Sequence, residues 1–382
     1  MDLLVLDKNF DTIGIIDTYE SFNWTDRYNE AGDFEITMVL DTVQHTKELL
    51  SIFVEDNYVY LGMSEHLMII EDLNITTDQE EGNKLVVSGR SLESILDRRI
   101  VWDQIVYPVN AYVKNVYLSL INNSMGSQAD ANRKISNLVV ETPTDTYISS
   151  LRLESGAQYT GDNVYEVITH ICKLKKIGFK ILRSVQNGEN KFVISLYNGT
   201  DRTYDTTKNP NNPPVIFSPY FENITNTNYY KSIKTFKTIN LVAGEGEGKD
   251  RKRKSAQRTG GTYTGLYRRE MYTDARDISS NVDDQTTMSD SAYKSLLATR
   301  GKEKLSEDEN GMAETFEGEV DYRTSFVFGE DYFLGDMVEV ADIYGHETPA
   351  RISEITFSFD EEGFSINPSF TVAADEEITE GD

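Results

Sequence analysis

Cysteine, histidine and long apolar runs are scarce in this chain of 382 residues. Its single cysteine, Cys172, excludes an intrachain disulfide, and the four histidines lack metal-binding spacing, so we expect no zinc site. No apolar stretch is long enough to predict a membrane-spanning helix. The N-terminal residues MDLLVLDKNFD lack the basic and apolar regions of a signal peptide. We therefore expect neither a secretion signal nor a membrane anchor.

The motifs of common enzymes are also missing, since the sequence contains no G-x-S-x-G and no H-E-x-x-H. DKNFDT (7–12) begins like a calcium loop but lacks its glycine, and Thr18 stands where the loop needs a glutamate. Asp250 follows Gly248-Lys249 where a phosphate loop needs serine or threonine. Pairs of acids carry little information among 64 Asp and Glu residues. We expect no catalytic residue, cofactor or metal.

Positive charge is scarce as well, with 37 Lys and Arg against 64 Asp and Glu, a net charge of −27. Such a chain repels free DNA and anionic membranes, which excludes a conventional nucleic-acid binder. The same repulsion suits the wall of a conduit, because a polyanion slides past it without sticking. The hydrophobic content of 38% is sufficient for packed cores. The many tyrosines and threonines favour strands.

The order of apolar patterns predicts an α+β, β-rich fold with two small β-barrel domains, an intervening α+β domain and a late insertion. The predicted segments are a first barrel (1–95), the α+β domain (96–216), a second barrel (217–248 and 312–375), an insertion with a basic loop, a hairpin and a helix (249–311), and an acidic tail (376–382). The three prolines of TKNPNNPPVIF mark the end of the α+β domain. We expect the tail to be solvated.

Two helices are predicted within the α+β domain. Apolar residues recur with helical spacing over 110–125, and Asn110 is a plausible N-cap. The stretch 161–183 predicts a helix followed by a strand, with Asp162 as the cap and Gly178 at the C-terminal stop.

Three further local structures are predicted from residue spacing. Residues 91–101 change from strand to helical periodicity, which indicates a helix leading out of the first barrel. Asn187-Gly188 between two apolar runs predicts a tight hairpin turn. A helix is expected over 290–307, starting at Ser289 or Asp290.

A cluster of basic residues follows the glycine-rich stretch VAGEGEG (242–248). No apolar period runs through it, so one interpretation is a flexible loop with glycines at its base. The other is a mobile basic arm that contacts an acidic surface, such as that of a neighbouring copy, or DNA. The candidate intersubunit or luminal residues are Lys249, Arg251, Lys252, Arg253, Lys254 and Arg258.

An aromatic hairpin is predicted by YESFNWTDRYNEAGDFEITM (19–38). Alternation places Phe34, Ile36 and Met38 on one face of its second strand. The aromatic residues are expected to fill the first barrel or to lie at a subunit interface, and sugar binding is a third alternative. The candidate residues for the core or interface are Trp24, Arg27, Tyr28 and Phe34.

Three stretches, in order, resemble those of siphophage tail proteins. FNWTDRYNEAGDFEITM (22–38) is similar to the first hairpin of tail hub proteins. MIIEDLNITTDQEEGNKLVVSGRSLESILDRRIV (68–101) resembles their strand, hairpin and V-S-G-R-S-L step into a helix. NLVAGEGEGKDR (240–251) resembles their Gly-Glu-Gly loop. The chain therefore resembles the ReqiPepy-type siphovirus tail proteins, relatives of the N-terminal region of tail-associated lysins and of the baseplate hub.

This resemblance implies a structural hub of the tail tip and no enzymatic activity. In a homotrimer, two barrels per chain would form a ring of pseudo-sixfold symmetry. That ring would join the hexameric distal tail protein or tail tube to the tip, hold the end of the tape-measure protein and carry a fibre or spike. DNA would pass only transiently through a channel that the ring closes or gates. The expected location is the virion tail tip, after assembly in the host cytoplasm.

Many proteins of that kind continue into a peptidase, lysozyme-like or receptor-binding region, which the present sequence does not include. We therefore expect lysis and receptor binding to reside on another protein. One alternative is a carbohydrate-active protein, either glycan-binding or polysaccharide-degrading. It would need a cleft with exposed aromatics and two carboxylates about 5–10 Å apart. Another is the hub of a contractile injection system or bacteriocin.

Overall fold

The structure is a computed structural model that describes residues 2–78, 82–153, 156–204, 211–281, 286–307, 310–320, 326–361, 363–372 and 378–380. Strands predominate over helices in these ranges, as the sequence predicts. The N-terminal elements are β1 (Leu3–Leu6), β2 (Thr12–Ile16), β3 (Ser21–Arg27), β4 (Asp33–Val39), α1 (Val43–Ile52), β5 (Tyr58–Leu61), β6 (Leu67–Asp78) and β7 (Gly82–Ser91).

The middle of the chain mixes helices with short strands. After a 3-10 helix over Leu92–Arg98 come β8 (Ile105–Tyr107), α2 (Val113–Ser124), β9 (Leu138–Val140), α3 (Thr146–Ser150), β10 (Ala157–Tyr159), α4 (Val164–Lys175), β11 (Gly178–Gln186) and β12 (Glu189–Tyr197). Strands β11 and β12 form an antiparallel hairpin, and β9 pairs with β12 in parallel to complete a three-stranded sheet. The predicted turn is confirmed, because Asn187 and Gly188 both have positive φ between these strands.

The C-terminal part returns to strands. Its elements are β13 (Ile216–Phe217), β14 (Ile224–Ser232), β15 (Ile239–Ala243), β16 (Arg253–Arg258), β17 (Glu270–Asp274), α5 (Asp290–Ser306), β18 (Ala313–Val320), β19 (Met337–Ala341), β20 (Glu347–Asp360), β21 (Gly363–Val372) and β22 (Ile378–Glu380). Single 3-10 turns occur at Pro219–Phe221, Gly248–Asp250 and Gly265–Tyr267.

One large sheet contains strands from both ends of the chain. Its 13 strands run in the order β14-β18-β21-β20-β3-β4-β7-β6-β5-β1-β2, with β13 and β19 attached beside β20. The sheet combines an N-terminal strand set (β1–β7) with a C-terminal strand set (β13, β14 and β18–β21). The two strand sets join where β20 pairs antiparallel with β3, and Phe357 lies opposite Trp24 in this pairing. Apart from β15, the described strands of both predicted barrel regions are therefore held in one hydrogen-bonded sheet. The division into two barrels stays a prediction.

The first four residues of β6 are buried on both faces of the sheet. Met68 and Ile70 of β6 pack into the core between the strand sets, whereas Leu67 and Ile69 point to the core of the α+β region. Successive residues of a strand face opposite sides, so two cores require an unbroken apolar run. This is why LMII (67–70) shows no polar alternation.

A second, four-stranded sheet stands apart, in the order β17-β15-β16-β22, and α5 packs on one face of it. This arrangement differs from the predicted segments in two ways. The sequence assigned β15 to the second barrel, but β15 pairs with β16 across the glycine-rich turn. Residues 378–380 of the predicted solvated tail pair with β16.

Two of the predicted helix caps are wrong. Helix α2 begins at Val113, after Tyr112, and Asn110 lies outside it with a positive φ. Helix α4 is capped by the Asn163 side chain, whereas the Asp162 carboxylate accepts a hydrogen bond from the Thr160 amide.

The helix ends show how packing overrides local preference. Helix α4 ends at Lys175, and its C-cap residue, Lys176, adopts the left-handed conformation expected of a glycine. Gly178 instead begins β11, where a Cβ would lie 2.5 Å from the Tyr28 ring. The Ser289 cap of α5 is as predicted, and the helix predicted over 91–101 is a 3-10 helix.

Candidate functional site

The aromatic hairpin lies in the core. Trp24 is 1% exposed and Phe34 2%, and their ring centroids are 6.0 Å apart. Phe357, across the β3–β20 join, is fully buried. An indole enclosed in this way has no face free for a sugar ring.

Arg27 ties the hairpin to the C-terminal strands. Its Nε lies 2.9 Å from Glu354 Oε1 on β20, and its Nη1 lies 2.6 Å from Asp33 Oδ2 on β4. Nη1 also donates to the Ala31 carbonyl. The guanidinium therefore links three segments of backbone at the join between the two strand sets.

Tyr28 occupies the point where three parts of the chain meet. Its backbone amide donates to the Ser353 carbonyl on β20, and its ring lies edge-on to Tyr197 of β12 at 5.1 Å. The Arg351 guanidinium lies over the Tyr28 ring, 5.0 Å from its centroid, and donates to the Tyr28 hydroxyl. Burial raises the pKa of Tyr28 to about 12, so the phenol stays neutral. We call the region around Trp24, Arg27 and Tyr28 the junction.

A buried polar cluster lies beside the junction. Asp26 accepts hydrogen bonds from Trp24 Nε1 at 2.9 Å and from Ser64 Oγ at 2.7 Å. His66 Nδ1 lies 3.2 Å from Glu93 Oε1, which also accepts from the Ile181 amide at 2.7 Å. The cluster thus connects the hairpin to the 3-10 helix and to β11.

The charges in this cluster depend on one another. Burial disfavours the imidazolium, but the carboxylates of Glu93 and Asp26 outweigh burial and raise the pKa of His66 to about 9. Burial opposes ionisation of Glu93 as well, yet the charge of His66 holds its pKa below the ordinary value. Burial raises the pKa of Asp26. A protonated His66 and an ionised Glu93 therefore form a buried ion pair.

Sequence reasoning missed these residues for a physical reason. A charged residue at the start of an amphipathic helix normally faces water, but every residue from Leu92 to Leu96 is buried here. The 3-10 helix is enclosed by β6, β7, β11 and α4, so it has no solvated face in that segment. The one available signal was the position of His66, directly before the doubly buried run of β6.

The basic stretch is largely ordered, in contrast to the predicted loop. Residues 253–258 form β16. Arg251 is held by Asp274 and by the carbonyls of Ala243 and Gly244, and Lys252 lies 3.2 Å from Asp290. Lys249 and Arg253 are exposed, and Lys254 is half-buried. A β-hairpin orders this polar sequence because the backbone ladder with β15 does not require apolar side chains.

Arg258 is a structural residue. It is buried, and its guanidinium donates to the carbonyls of Lys237, Leu305 and Asn310. Leu305 lies in the last turn of α5, where unsatisfied carbonyls favour a cation. Arg258 therefore stabilises the end of α5 and is not available to a partner.

The face of α5 that meets the α+β region holds a second group of charges. Arg300 lies 3.0 Å from Asp277 Oδ2 and 3.6 Å from Glu303 Oε2. Burial raises the pKa of Glu303 to about 7. Burial and nearby cations lower the pKa of His170, on α4, to about 4. Arg300 and Glu303 line a small cavity between α5 and β10.

A surface cavity of about 400 Å³ offers no glycosidase-like arrangement. It is lined by Tyr60, Glu65, Leu67, Arg183 and Val185. Glu65 supplies the single carboxylate of this lining, and Glu65 Oε1 lies 2.7 Å from Lys180 Nζ. Hydrolysis of a glycosidic bond requires a pair of carboxylates. This cavity therefore gives the carbohydrate-active alternative no support.

Within the described ranges, no helix combines the length and apolar character needed to cross a bilayer. No group of three or more potential metal ligands occurs among the same residues.

The whole fold is similar to solved phage tail proteins. The 43 kDa tail protein of prophage MuSo2 from Shewanella oneidensis aligns with a TM-score of 0.53 at 13% identity, covering 97% of this chain and 98% of that one. The tail protein from Neisseria meningitidis MC58 gives the same score and identity, covering 97% and 96%. No curated protein matches the sequence. At 13% identity, these similarities show that the chain shares the fold of solved tail proteins.

The sequence identifies the family. Residues 2–370 match the Siphovirus ReqiPepy6 Gp37-like protein family, and the chain belongs to this family. The β-rich tail-protein fold, the family and the location in the virion tail that the sequence predicted are confirmed.

Proposed function

We propose that this chain is the structural hub of a phage tail tip. Three copies form a ring that joins the hexameric tail tube or distal tail protein to the tip and closes or gates the DNA channel. The role is structural and not catalytic. A tape-measure end inside the ring and a fibre or spike below it complete the set of partners.

The observation that carries this proposal is the join between β3 and β20. This pairing fixes the two strand sets of one chain in a single sheet, with Trp24, Arg27 and Tyr28 at the junction. Three such chains present six strand sets in defined positions, which is what a threefold ring needs to meet a sixfold one. The net charge of −27 suits a channel wall along which DNA passes without binding.

Light scattering at several concentrations tests the trimer. We expect the mass of three chains, because a closed ring satisfies every copy's contacts equally. Where the isolated chain stays monomeric, electron microscopy of assembled tails decides. Three copies below a hexameric ring support the proposal, whereas six copies or a position away from the channel would contradict it.

Lys249 and Arg253 are the exposed members of the basic stretch and the proposed intersubunit or luminal contacts. Replacing both by glutamate should lower the trimer fraction or tail assembly at least several-fold, since attraction to an acidic surface becomes repulsion. The melting temperature should not change, because both side chains are exposed. The matched control reverses the exposed Lys47 and Lys134. Equal losses in both double variants would assign the effect to net charge alone.

A further inference from the structure

We propose that the edge of β16 opposite β15 is a strand-addition site through which neighbouring copies of this chain exchange β22. In the single chain, β22 fills this edge. In the assembled ring, β22 of a neighbouring copy fills it instead. This inference rests on the proposed trimer and names the contact that ties its subunits together.

The pairing between β16 and β22 is short and terminal. β22 runs antiparallel to β16 with Arg258 opposite Ile378, Gln257 opposite Thr379 and Ala256 opposite Glu380. A ladder of three residue pairs is shorter than a typical strand of about five or six residues. Terminal segments with so few pairs open readily. The strand can therefore leave its site without unfolding the four-stranded sheet, whose β15–β16 and β15–β17 pairs are longer.

Charge complementarity identifies the occupant. Residues 249–258 carry six basic side chains and one acid, in a chain with a large negative net charge. Arg251, Lys252 and Arg258 are engaged within the chain, so the exposed Lys249 and Arg253 supply positive charge at this edge. Residues 373–382, which include β22, carry five acids and no basic residue. Attraction between these segments acts over about a Debye length, roughly 8–10 Å. A second copy supplies the identical acidic segment, so exchange preserves both the backbone pairing and the charge match.

The positions of the last two strands favour exchange between copies. β21 ends at Val372 in the large sheet, and β22 begins at Ile378 in the separate sheet. The two last strands of the chain, β21 and β22, thus belong to different sheets. Within a ring the neighbouring β16 edge is present at a high effective concentration, so an equal contact made between copies is favoured over dissociation.

A pair of cysteines reports which chain supplies the strand. Gln257→Cys and Thr379→Cys lie opposite each other in the register, within reach of a disulfide or a short thiol cross-linker. The native Cys172 does not interfere, because it is buried and burial raises the pKa of its thiol. The variant is oxidised as the isolated trimer and in assembled tails, then separated on a denaturing, non-reducing gel.

Covalently linked dimers and trimers are the expected result in the assembled state. Intrachain bonds alone in a verified trimer would overturn strand exchange and leave the proposed hub standing. A chain that is absent from the tail ring would fail both. No cross-link in any state would overturn the β16–β22 pairing itself.

Two controls accompany the test. Ser184→Cys with Lys191→Cys joins register partners in the β11–β12 hairpin, which must link within one chain in every state. Deletion of residues 376–382 provides a measurement without cysteines. We expect the deleted chain to fold and to lose trimer on dilution at protein concentrations where the full chain keeps it. An unchanged trimer would count against the exchange.

Discussion

Replacing Trp24 by alanine is expected to lower the free energy of unfolding by about 3–5 kcal/mol. The indole is 1% exposed and packs against Phe34 at the β3–β20 join, so its loss leaves a cavity where the two strand sets meet. It also removes the donor that Trp24 Nε1 supplies to the buried Asp26 carboxylate. Urea denaturation followed by circular dichroism measures the change.

The chain contains a matched control for this substitution. Trp102, the other tryptophan, is 64% exposed and contacts Arg133 through its ring face. Trp102→Ala should change the free energy of unfolding by less than about 1 kcal/mol. Similar losses for both variants would show that indole removal, and not the position of Trp24, decides the effect. A loss below about 1 kcal/mol for Trp24→Ala would remove this residue from the core.

Glu93→Ala should be similarly severe, with an expected loss of about 3–5 kcal/mol. The substitution leaves His66 buried in the core without the carboxylate that lies 3.2 Å from its Nδ1, and it leaves the Ile181 amide without its acceptor. Glu65 is the matched control, because it lies 3.9 Å from His66 Nε2 but is exposed. Glu65→Ala should cost less than about 1 kcal/mol. Glu93→Gln separates the two causes, since it can keep the hydrogen bond but not the charge.

The same pair predicts a pH dependence with a definite sign. The pKa of His66 is about 9 in the folded chain, above the 6.5 of an unperturbed histidine. The folded state therefore binds more protons than the unfolded state between these values, and stability falls as pH rises through this window. The contribution is complete below pH 6.5. Glu93→Ala should flatten the curve between pH 6.5 and 9, and a curve equal to that of the unaltered chain would refute the ion pair.

Local patterns were sufficient for much of the chain. The Asn187-Gly188 turn and the Ser289 cap of α5 follow from residue types whose preferences act over a few bonds. The apolar alternation of β4 placed Phe34, Ile36 and Met38 on one buried face. These features need no knowledge of what packs against them.

Contacts between distant segments were beyond local patterns. Gly178 looked like a helix stop, but glycine is required there because a Cβ would lie 2.5 Å from the Tyr28 ring and 2.6 Å from the Tyr197 ring. The basic stretch looked like a loop, but a hairpin partner orders it and Arg258 binds the end of α5. In each case the deciding group is far away in sequence.

The sequence by itself determined the class of protein, because three stretches resemble those of siphophage tail proteins. It also determined the dominance of strands and the lack of recognised catalytic motifs, since these depend on composition, short motifs and periodicity. The tertiary structure alone decided that β3 pairs with β20, that Glu93 and His66 meet in the core, and that the C-terminal strand β22 pairs with β16. Strand partners and buried charge pairs are selected by the free energy of long-range packing. A single strand or charged residue carries no record of which distant partner it will meet.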